Sequence, residues 1–297
     1  MNNPEFLRNG DKVAIVAPAR KISRDEIDAA VCWLQKTGFT PVFDNSLFES
    51  DNQFAGNDNH RARLINSYLR DDDIKALWCA RGGYGSVRII DDFDVAAFLE
   101  KPKWIIGYSD VTVFHGKIQS LGFQSIHGTM PINVKTCDIK SLNSLYDALT
   151  GKKLSYTIPS STMNIPGKAE GELVGGNLSV LYSMLASDSF PNTNGKILFI
   201  EDLDEYLYHI DRMMMALQRA GALDNLVGLV VGGLTDMHDN AVPFGKTAEE
   251  IVLEHVQHRG YPVCFGFPAG HQNLNCALRL GSNVTLSVAS SVTLQFQ

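Results

Sequence analysis

The sequence predicts an α/β protein with an N-terminal, mainly parallel sheet flanked by helices and a smaller, β-rich α/β C-terminal domain. Strand-like and helix-like segments alternate through the first half, the composition changes near residue 150, and short apolar strands close the chain. With 297 residues, of which 44% are hydrophobic and 20% charged, the chain has enough apolar material for two buried cores. Two domains are therefore expected.

The alternation begins with an apolar strand at 12–19. Ser23 and Glu26 then form a capping box, which starts a helix that ends at Gly38. Parallel strands need a crossover between them, usually a helix, so this rhythm predicts a parallel sheet covered on both faces. The remaining elements predicted in this half are strands near 40–43, 74–80 and 104–106, and helices near 59–70 and after Ser86, Asp94 and Ser109.

The segment 151–170 is rich in Gly, Ser, Thr and Pro and contains few large apolar residues, which is typical of a linker. We therefore expect an N-terminal domain at 1–150 and a C-terminal domain at 171–297. The second part resumes the alternation and ends in short paired strands. Its predicted elements are helices near 178–186, 208–220 and from Thr247, and strands at 196–202, 226–234 and beyond 262.

The bulk composition excludes several classes of function. A net charge of −7 and the lack of any Lys- and Arg-rich run argue against nucleic-acid binding. Five cysteines, an odd number with no CxxC pair, argue against a disulfide framework or a zinc site. The N-terminal segment has neither the basic start of a signal peptide nor a membrane-spanning apolar stretch. We expect a cytoplasmic protein without metal, membrane or nucleic-acid partners.

Ser109 lies between a short buried strand and a helix, in the sequence GYSDV. This context approaches the G-x-S-x-G nucleophile elbow, in which a sharp turn holds the serine out of the chain, although Val111 replaces the second glycine. The alternative is an ordinary helix N-cap. The motif alone does not decide between a nucleophile and a cap.

A glycine-rich stretch, RGGYGS, follows the strand at 74–80. Its backbone N–H groups could form an oxyanion hole or a phosphate cradle, or the stretch could simply be a tight turn. It matches neither common nucleotide-binding motif. Cys79, just before it, is a conceivable nucleophile of an amidotransferase-like enzyme, but its place inside an apolar strand favours a buried, inert thiol.

Two further residues follow predicted strands. Glu201 directly extends the apolar strand KILFI, and a carboxylate there needs a partner, which could be a catalytic histidine. His271 leaves a strand through Pro268 and Gly270 and begins a loop. Open α/β sheets build their sites at the carboxyl ends of strands, so Ser109, Glu201 and His271 are candidates for a triad. The acids that follow Glu201, at 202, 204 and 205, are interpreted as a solvated loop.

Five separated blocks, in order and with comparable spacing, resemble one enzyme family: ARGGYG, IIGYSD, GGNLSVL, KILFIEDLDEYLYHIDRMMMAL and GFPAGHQNLN. The chain is similar to the LD-carboxypeptidases, which comprise muramoyl-tetrapeptide carboxypeptidases and the related microcin C immunity peptidases. The resemblance implies a two-domain serine peptidase with a Ser–His–Glu triad, no metal and no cofactor. It also implies a small peptide substrate and a homodimer.

Motif by motif, the resemblance implies that Ser109 is the nucleophile, Glu201 the orienting carboxylate and His271 the general base. It implies an oxyanion hole formed by the backbone N–H groups of Gly83 and Asp110.

Two residues have weaker assignments in substrate binding. Arg81 is a candidate for binding the terminal carboxylate, or alternatively braces the glycine turn. Asn177 is expected to line the pocket or to cap a helix.

The family removes the terminal D-alanine from murein tetrapeptides, where that residue follows the L-centre of a diamino acid. The chain lacks an aromatic-rich insertion between Ser109 and Glu201 of the kind that the immunity branch uses to hold a nucleotide-linked substrate. This favours cell-wall peptide recycling. The alternatives are a peptidase acting on acyl-nucleotide peptides and a non-catalytic muropeptide-binding protein.

Overall fold

Two β-sheets, each packed against helices, make up the computed structural model, which describes residues 1–297. The strands are β1 (Lys12–Val16), β2 (Thr40–Val42), β3 (Ile74–Cys79), β4 (Trp104–Gly107), β5 (Ser125–His127), β6 (Ser155–Pro159), β7 (Gly167–Asn177), β8 (Ile197–Leu203), β9 (Gly228–Thr235), β10 (Val263–Cys264), β11 (Leu278–Leu280), β12 (Asn283–Val288) and β13 (Ser291–Phe296). The helices are α1 (Arg24–Lys36), α2 (Asp58–Arg70), α3 (Val95–Glu100), α4 (Thr112–Ser120), α5 (Ile139–Leu149), α6 (Leu178–Ser183), α7 (Leu207–Arg219) and α8 (Ala248–Val256).

The first sheet has six strands in the order β11-β5-β4-β3-β1-β2. All neighbours pair in parallel except β11, which pairs antiparallel with β5. The strands of the parallel part are almost entirely buried, as expected for a sheet with helices on both faces. Because β11 comes from the last 20 residues of the chain, the C-terminal part completes the edge of the N-terminal sheet.

The second sheet has seven strands in the order β10-β9-β8-β7-β12-β13-β6. Strands β7 to β10 pair in parallel, and β12, β13 and β6 continue the sheet as antiparallel neighbours. The long strand β7 joins the two regions: its first half pairs with β12 and its second half with β8. The two sheets confirm the predicted α/β fold class with a β-rich second part.

The segment 151–170 is not an unstructured linker, because it contains β6 and the first residues of β7. β6 is an edge strand whose residues alternate between exposed and half-buried, which explains the low content of large apolar residues. Tyr156 anchors it through a hydrogen bond from its hydroxyl to the Ala277 carbonyl at 2.6 Å. The domain boundaries at 150 and 171 stay predictions. The helix expected after Ser86 is only a short 3-10 turn at Ser86–Arg88.

Helix α4 connects the two sheets by packing against β7. The Asn177 backbone N–H donates to Thr112 Oγ1 at 3.0 Å. The backbones come so close that a Cβ at Gly176 would lie 2.5 Å from Thr112 Oγ1, and one at Gly116 would lie 1.9 Å from the Ser189 carbonyl oxygen. Glycine at these two positions lets the halves meet.

The longest helices, α1, α2 and α7, have 13 residues each. None of the helices combines the length and the apolar character that crossing a bilayer requires.

Replacing Gly116 by alanine tests the packing of α4. Alanine favours a helix by about 1 kcal/mol over glycine, but its methyl group would meet a backbone oxygen that no rotamer change can move. We expect Gly116→Ala to lower the free energy of unfolding by about 1–3 kcal/mol in urea denaturation. Ser120→Ala, on an exposed position of the same helix, is the control and should change stability by no more than about 0.5 kcal/mol. A more stable Gly116→Ala variant would contradict the tight contact.

Candidate active site

Ser109 occupies a strained turn between β4 and α4. Its φ of +63° lies in the left-handed region, which costs a non-glycine residue about 1–3 kcal/mol. Gly107 relieves the crowding, because a Cβ there would lie 2.8 Å from the Val111 side chain. Val111, which replaces the second glycine of the motif, is fully buried against Gly107. The predicted strand–turn–helix context of a nucleophile elbow is present.

The buried ring of His115 holds the Gly107 carbonyl in place through a hydrogen bond. Burial lowers the pKa of His115 to about 4, so the ring is neutral at pH 7. Nε2 contacts the Gly107 oxygen and Nδ1 contacts Ser125 Oγ, both at 2.9 Å. Since a carbonyl only accepts, Nε2 carries the proton and Nδ1 accepts from the serine hydroxyl. His115 therefore supports the strand that leads into Ser109.

The glycine turn at 81–86 lies directly beside Ser109. A Cβ at Gly82 would be 3.2 Å from Ser109 Oγ and 3.4 Å from the Asp110 backbone nitrogen. Gly83 has a φ of +109° and its N–H donates to no acceptor in the protein. Both N–H groups expected to form the oxyanion hole thus border the same space.

Two buried charged side chains hold this turn in place. The Asp110 carboxylate accepts a hydrogen bond from the Ser86 N–H at 2.8 Å. Desolvation raises the pKa of Asp110, although its hydrogen bonds favour the ionised form. Arg61, which is 1% exposed, donates to the Gly85 carbonyl at 2.9 Å and also to the Pro18 carbonyl and Asp58. The turn is therefore anchored to both α2 and the elbow.

Glu201 and His271 form a direct pair. Glu201 is fully buried on β8, and its Oε2 accepts from His271 Nδ1 at 2.7 Å and from the His271 backbone N–H at 3.2 Å. Gly270 permits this approach, because a Cβ there would lie 2.5 Å from Glu201 Oε2. The bond to Nδ1 leaves Nε2 as the free nitrogen of the neutral ring, which is the nitrogen that a general base uses.

The environment of His271 favours its protonated form. Burial by itself lowers the pKa of His271, but the charge of Glu201 and its hydrogen bond outweigh this effect, so the pKa is raised. The Tyr108 ring packs edge-on against the imidazole, with ring centroids 4.8 Å apart. Asn275 accepts from the Gly270 N–H at 2.9 Å and fixes the turn before His271. Glu201 and Tyr108 therefore position the imidazole directly, and Asn275 positions the backbone that carries it.

Ser109 and His271 border a single cavity of about 490 Å³ at the junction of the two sheets. The structure has no hydrogen bond between the Ser109 hydroxyl and the imidazole; catalytic hydrogen bonds are often long before substrate binds. The cavity receives residues from the carboxyl ends of β1, β3, β4, β7 and β8. Its lining residues are Arg20, Arg81, Gly82, Gly83, Tyr108, Ser109, Asp110, Met130, Ile132, Asn133, Asn177, Ser179, Val180, Asp202, Leu203, Asp204, Glu205 and His271.

Asn177 is both a cavity residue and a helix N-cap. Its Oδ1 accepts from the Val180 N–H at 3.1 Å, and its Nδ2 donates to Asp202 at 2.9 Å. Asp202 also accepts from the Ser179 N–H and is 1% exposed. The interpretation of Asp202 as a solvated loop residue is therefore wrong, because the residue still belongs to β8. Its burial, together with the charge of Glu201, raises the pKa of Asp202 to about 7.

Arg81 lines the cavity, but its guanidinium has partners within the protein. It donates to the Lys21 carbonyl at 3.3 Å and lies 3.7 Å from the Glu26 carboxylate. These contacts fit the bracing role that was the alternative for Arg81.

We compared the chain with models of known protein families and with known proteins. The N-terminal domain model of the LD-carboxypeptidases matches residues 13–128, and the C-terminal domain model matches residues 170–286. The chain is 34% identical over 296 residues to the probable murein peptide carboxypeptidase of Bacillus subtilis (strain 168), covering 96% of this chain and 92% of that protein. The chain belongs to the LD-carboxypeptidase family. As a member of this family it is a peptidase.

Two further relatives represent both branches of the LD-carboxypeptidases. The crystal structure of muramoyltetrapeptide carboxypeptidase from Oxalobacter formigenes matches with a TM-score of 0.88 and 27% identity, covering 96% of this chain and 98% of that one. The microcin C7 self-immunity protein MccF of Escherichia coli is 26% identical, covering 91% of this chain and 88% of that protein. The structure of wild-type MccF in the apo state also matches, with a TM-score of 0.89, so the fold alone does not separate the two branches.

Cys79, which the sequence offered as a conceivable nucleophile, and His127, a histidine near the site, both have structural positions. Cys79 is 2% exposed inside β3, where burial raises the pKa of its thiol, and it lies outside the cavity. An enzyme built on Cys79 is therefore ruled out by access. His127 is fully buried and packs edge-on against Phe199 at 4.9 Å between ring centroids. No three His, Cys, Asp or Glu side chains are grouped so that they could hold a metal ion.

Sequence reasoning overlooked two residues at or near this cavity. Arg20 follows β1 at its carboxyl end, so the strand-end rule applied to Ser109, Glu201 and His271 could have found it. Arg61 gave no such signal, because an arginine on a helix is normally exposed.

Replacing Glu201 by glutamine tests the pair. We expect Glu201→Gln to lower the pKa of His271, measured by NMR titration of the imidazole protons, since the carboxylate charge is removed. Because the pKa is raised in the folded state, the pair stabilises the protein fully below about pH 6.5, and this contribution is lost as the pH rises through the folded-state pKa. Glu205→Gln, whose carboxylate contacts His209, is the control. An unchanged His271 titration in Glu201→Gln would contradict the pairing.

Proposed function

We propose that this protein is a serine LD-carboxypeptidase that removes the terminal D-alanine from murein tetrapeptides in cell-wall peptide recycling. The observation that carries the proposal is the buried Glu201–His271 pair facing the same cavity as the strained Ser109. The names of the Bacillus and Oxalobacter relatives point to the same substrate class.

In the acylation step, Ser109 Oγ attacks the carbonyl carbon between the diamino acid and D-alanine. His271 Nε2 accepts the hydroxyl proton, while Glu201 holds Nδ1–H and stabilises the imidazolium. The carbonyl oxygen becomes an oxyanion that accepts hydrogen bonds from the N–H groups of Gly83 and Asp110. The loss of one such donor typically costs about 10²–10³ in rate.

The same groups complete the reaction. His271 Nε2–H protonates the amine of D-alanine as the C–N bond breaks, which leaves the tripeptide esterified to Ser109. Water then gives a proton to His271 and attacks the ester. The ester bond breaks, and Ser109 Oγ takes the proton back. The base form of His271 must be neutral, so the raised pKa moves the rise of activity to a higher pH than an ordinary imidazole, with a pKa of about 6.5, would give.

The lining of the cavity favours a muropeptide over an acyl-nucleotide. Asp204 and Glu205, at the end of β8, suit the second amino group of a diamino acid. Tyr108 and His271 are the only lining residues with rings, and they already pack against each other. A nucleobase would find no free aromatic surface there. Cleavage of acyl-nucleotide peptides is therefore the second candidate.

We also infer a cytoplasmic homodimer. The five cysteines, none of which forms a disulfide, support the cytoplasmic location. The resemblance to the family supports the homodimer. Light scattering after size-exclusion chromatography measures the assembly.

Mass spectrometry of the protein incubated with L-Ala-γ-D-Glu-meso-diaminopimelate-D-Ala tests the function. We expect the wild type to release one D-alanine and Ser109→Ala to lose about 10⁴-fold or more of the rate, because the acyl-enzyme can no longer form. Ser183→Ala, an exposed serine on α6 that hydrogen-bonds within its own helix, is the control and should retain the wild-type rate.

Turnover by Ser109→Ala at the wild-type rate would refute the serine mechanism. A wild type that leaves the tetrapeptide intact but hydrolyses an aminoacyl sulfamoyl nucleoside would replace the proposed substrate by the second candidate. Binding of the tetrapeptide without turnover of either compound would make the protein a muropeptide-binding protein.

A further inference from the structure

Arg20 presents a cation without a partner to the cavity. It follows β1 and lines the wall beside the glycine turn. Its guanidinium makes no hydrogen bond and no ion pair within the protein, whereas Arg81 contacts Glu26 and Lys21, and Arg61 is buried among its own acceptors. Among the three arginines around the glycine turn, Arg20 alone is free to bind an anion.

The position of Arg20 is nevertheless well defined. Its backbone is bridged to Phe54, and the flanking residues are hydrogen-bonded: the Ala19 carbonyl accepts from Ala55, and the Lys21 N–H donates to Gln53. Its side chain lies across Gly83, where a Cβ would be 2.6 Å from Arg20 Cδ and 2.7 Å from Nε. The fixed backbone and the contact with Gly83 keep the exposed Arg20 side chain at the edge of the cavity, where its guanidinium can meet a ligand.

Because its side chain lies across Gly83, Arg20 is close to the place where the leaving residue would bind. Gly83 carries the N–H that meets the oxyanion in the proposed reaction. The leaving residue is attached to the same carbonyl carbon, so its carboxylate lies only a few bonds away from that oxygen. The acids at the end of β8, by contrast, repel a carboxylate and suit an ammonium group.

We propose that Arg20 binds the C-terminal carboxylate of the departing residue and thereby restricts the enzyme to the last peptide bond. The inference rests on the proposed peptidase function. A guanidinium matches a carboxylate with two parallel N–H···O bonds, and it offers no comparable partner to an internal amide. The substrate class is thus a peptide with a free α-carboxylate directly after the scissile bond.

The experiment compares the tetrapeptide acid with the same peptide ending in a carboxamide. Binding is measured by calorimetry in the Ser109→Ala background, which keeps the peptides intact. We expect Ser109→Ala to bind the acid about 10–100-fold more tightly than the amide. Adding Arg20→Gln should remove this preference and leave the affinity for the amide unchanged, and adding Arg20→Lys should restore part of it. Arg63→Gln, an exposed arginine on α2 outside the cavity, controls for the loss of one positive charge.

Turnover of both peptides by Arg20→Gln with Ser109 intact provides a second readout. We expect kcat/KM to fall about 10–100-fold for the acid alone. An equal fall for both peptides would show that Arg20 only supports the Gly83 turn, and would overturn the proposal. A preference for the acid that survives Arg20→Gln, or that Arg81→Gln removes instead, would also overturn it.

The proposed function and the role of Arg20 can fail separately. If the wild type releases no D-alanine but Ser109→Ala prefers the acid in an Arg20-dependent way, the function fails and the carboxylate site stands. If the wild type releases no D-alanine and Ser109→Ala binds neither peptide, both fail.

Discussion

The contact between α4 and β7 is the constraint on which the site depends. Ser109 follows β4 of the first sheet, whereas Glu201 lies on β8 and His271 follows β10 of the second, so neither half contains all three residues of the proposed triad. The hydrogen bond from the Asn177 N–H to Thr112 Oγ1, three residues after the serine, fixes the two halves to each other. Gly176 provides the space for this approach. The way the two halves fit together, and not the fold of either half, determines the geometry of the proposed triad.

Around this junction the structure stores strain and offsets it with buried polar contacts. Ser109 has an unfavourable backbone conformation, and its neighbours hold it there: His115 through the Gly107 carbonyl, and Val111 through packing. Asp110 performs two tasks, since its N–H borders the cavity while its carboxylate anchors the glycine turn at Ser86. Ser109 and the proposed oxyanion donors are thus parts of one rigid arrangement, which is what preorganised stabilisation of charge requires.

Periodicity predicted the α/β fold class, and strand ends made Ser109, Glu201 and His271 candidates for one site. The sequence could not bring them together, because Ser109 follows a strand of the first sheet whereas Glu201 and His271 belong to the second. The errors came where tertiary contacts override local pattern. The segment 151–170 reads as a linker but pairs as an edge strand, and Asp202 reads as solvated but is buried against Asn177. Arg61 is buried and hydrogen-bonded, whereas Arg20 is exposed and has no partner. The residues next to them in the sequence do not indicate this difference.

The strand β11 has a consequence for how the molecule is made. The last strand to join the first sheet lies at Leu278–Leu280 and pairs with Ser125–His127, more than 140 residues earlier. During synthesis, the edge formed by β5 stays open until residues 278–280 have left the ribosome. By then His271 has also emerged. A chain that is terminated early therefore has an incomplete first sheet with an unpaired, exposed edge. We expect cellular proteases to degrade such a chain, so that it does not persist as a partly folded protein with an exposed Ser109.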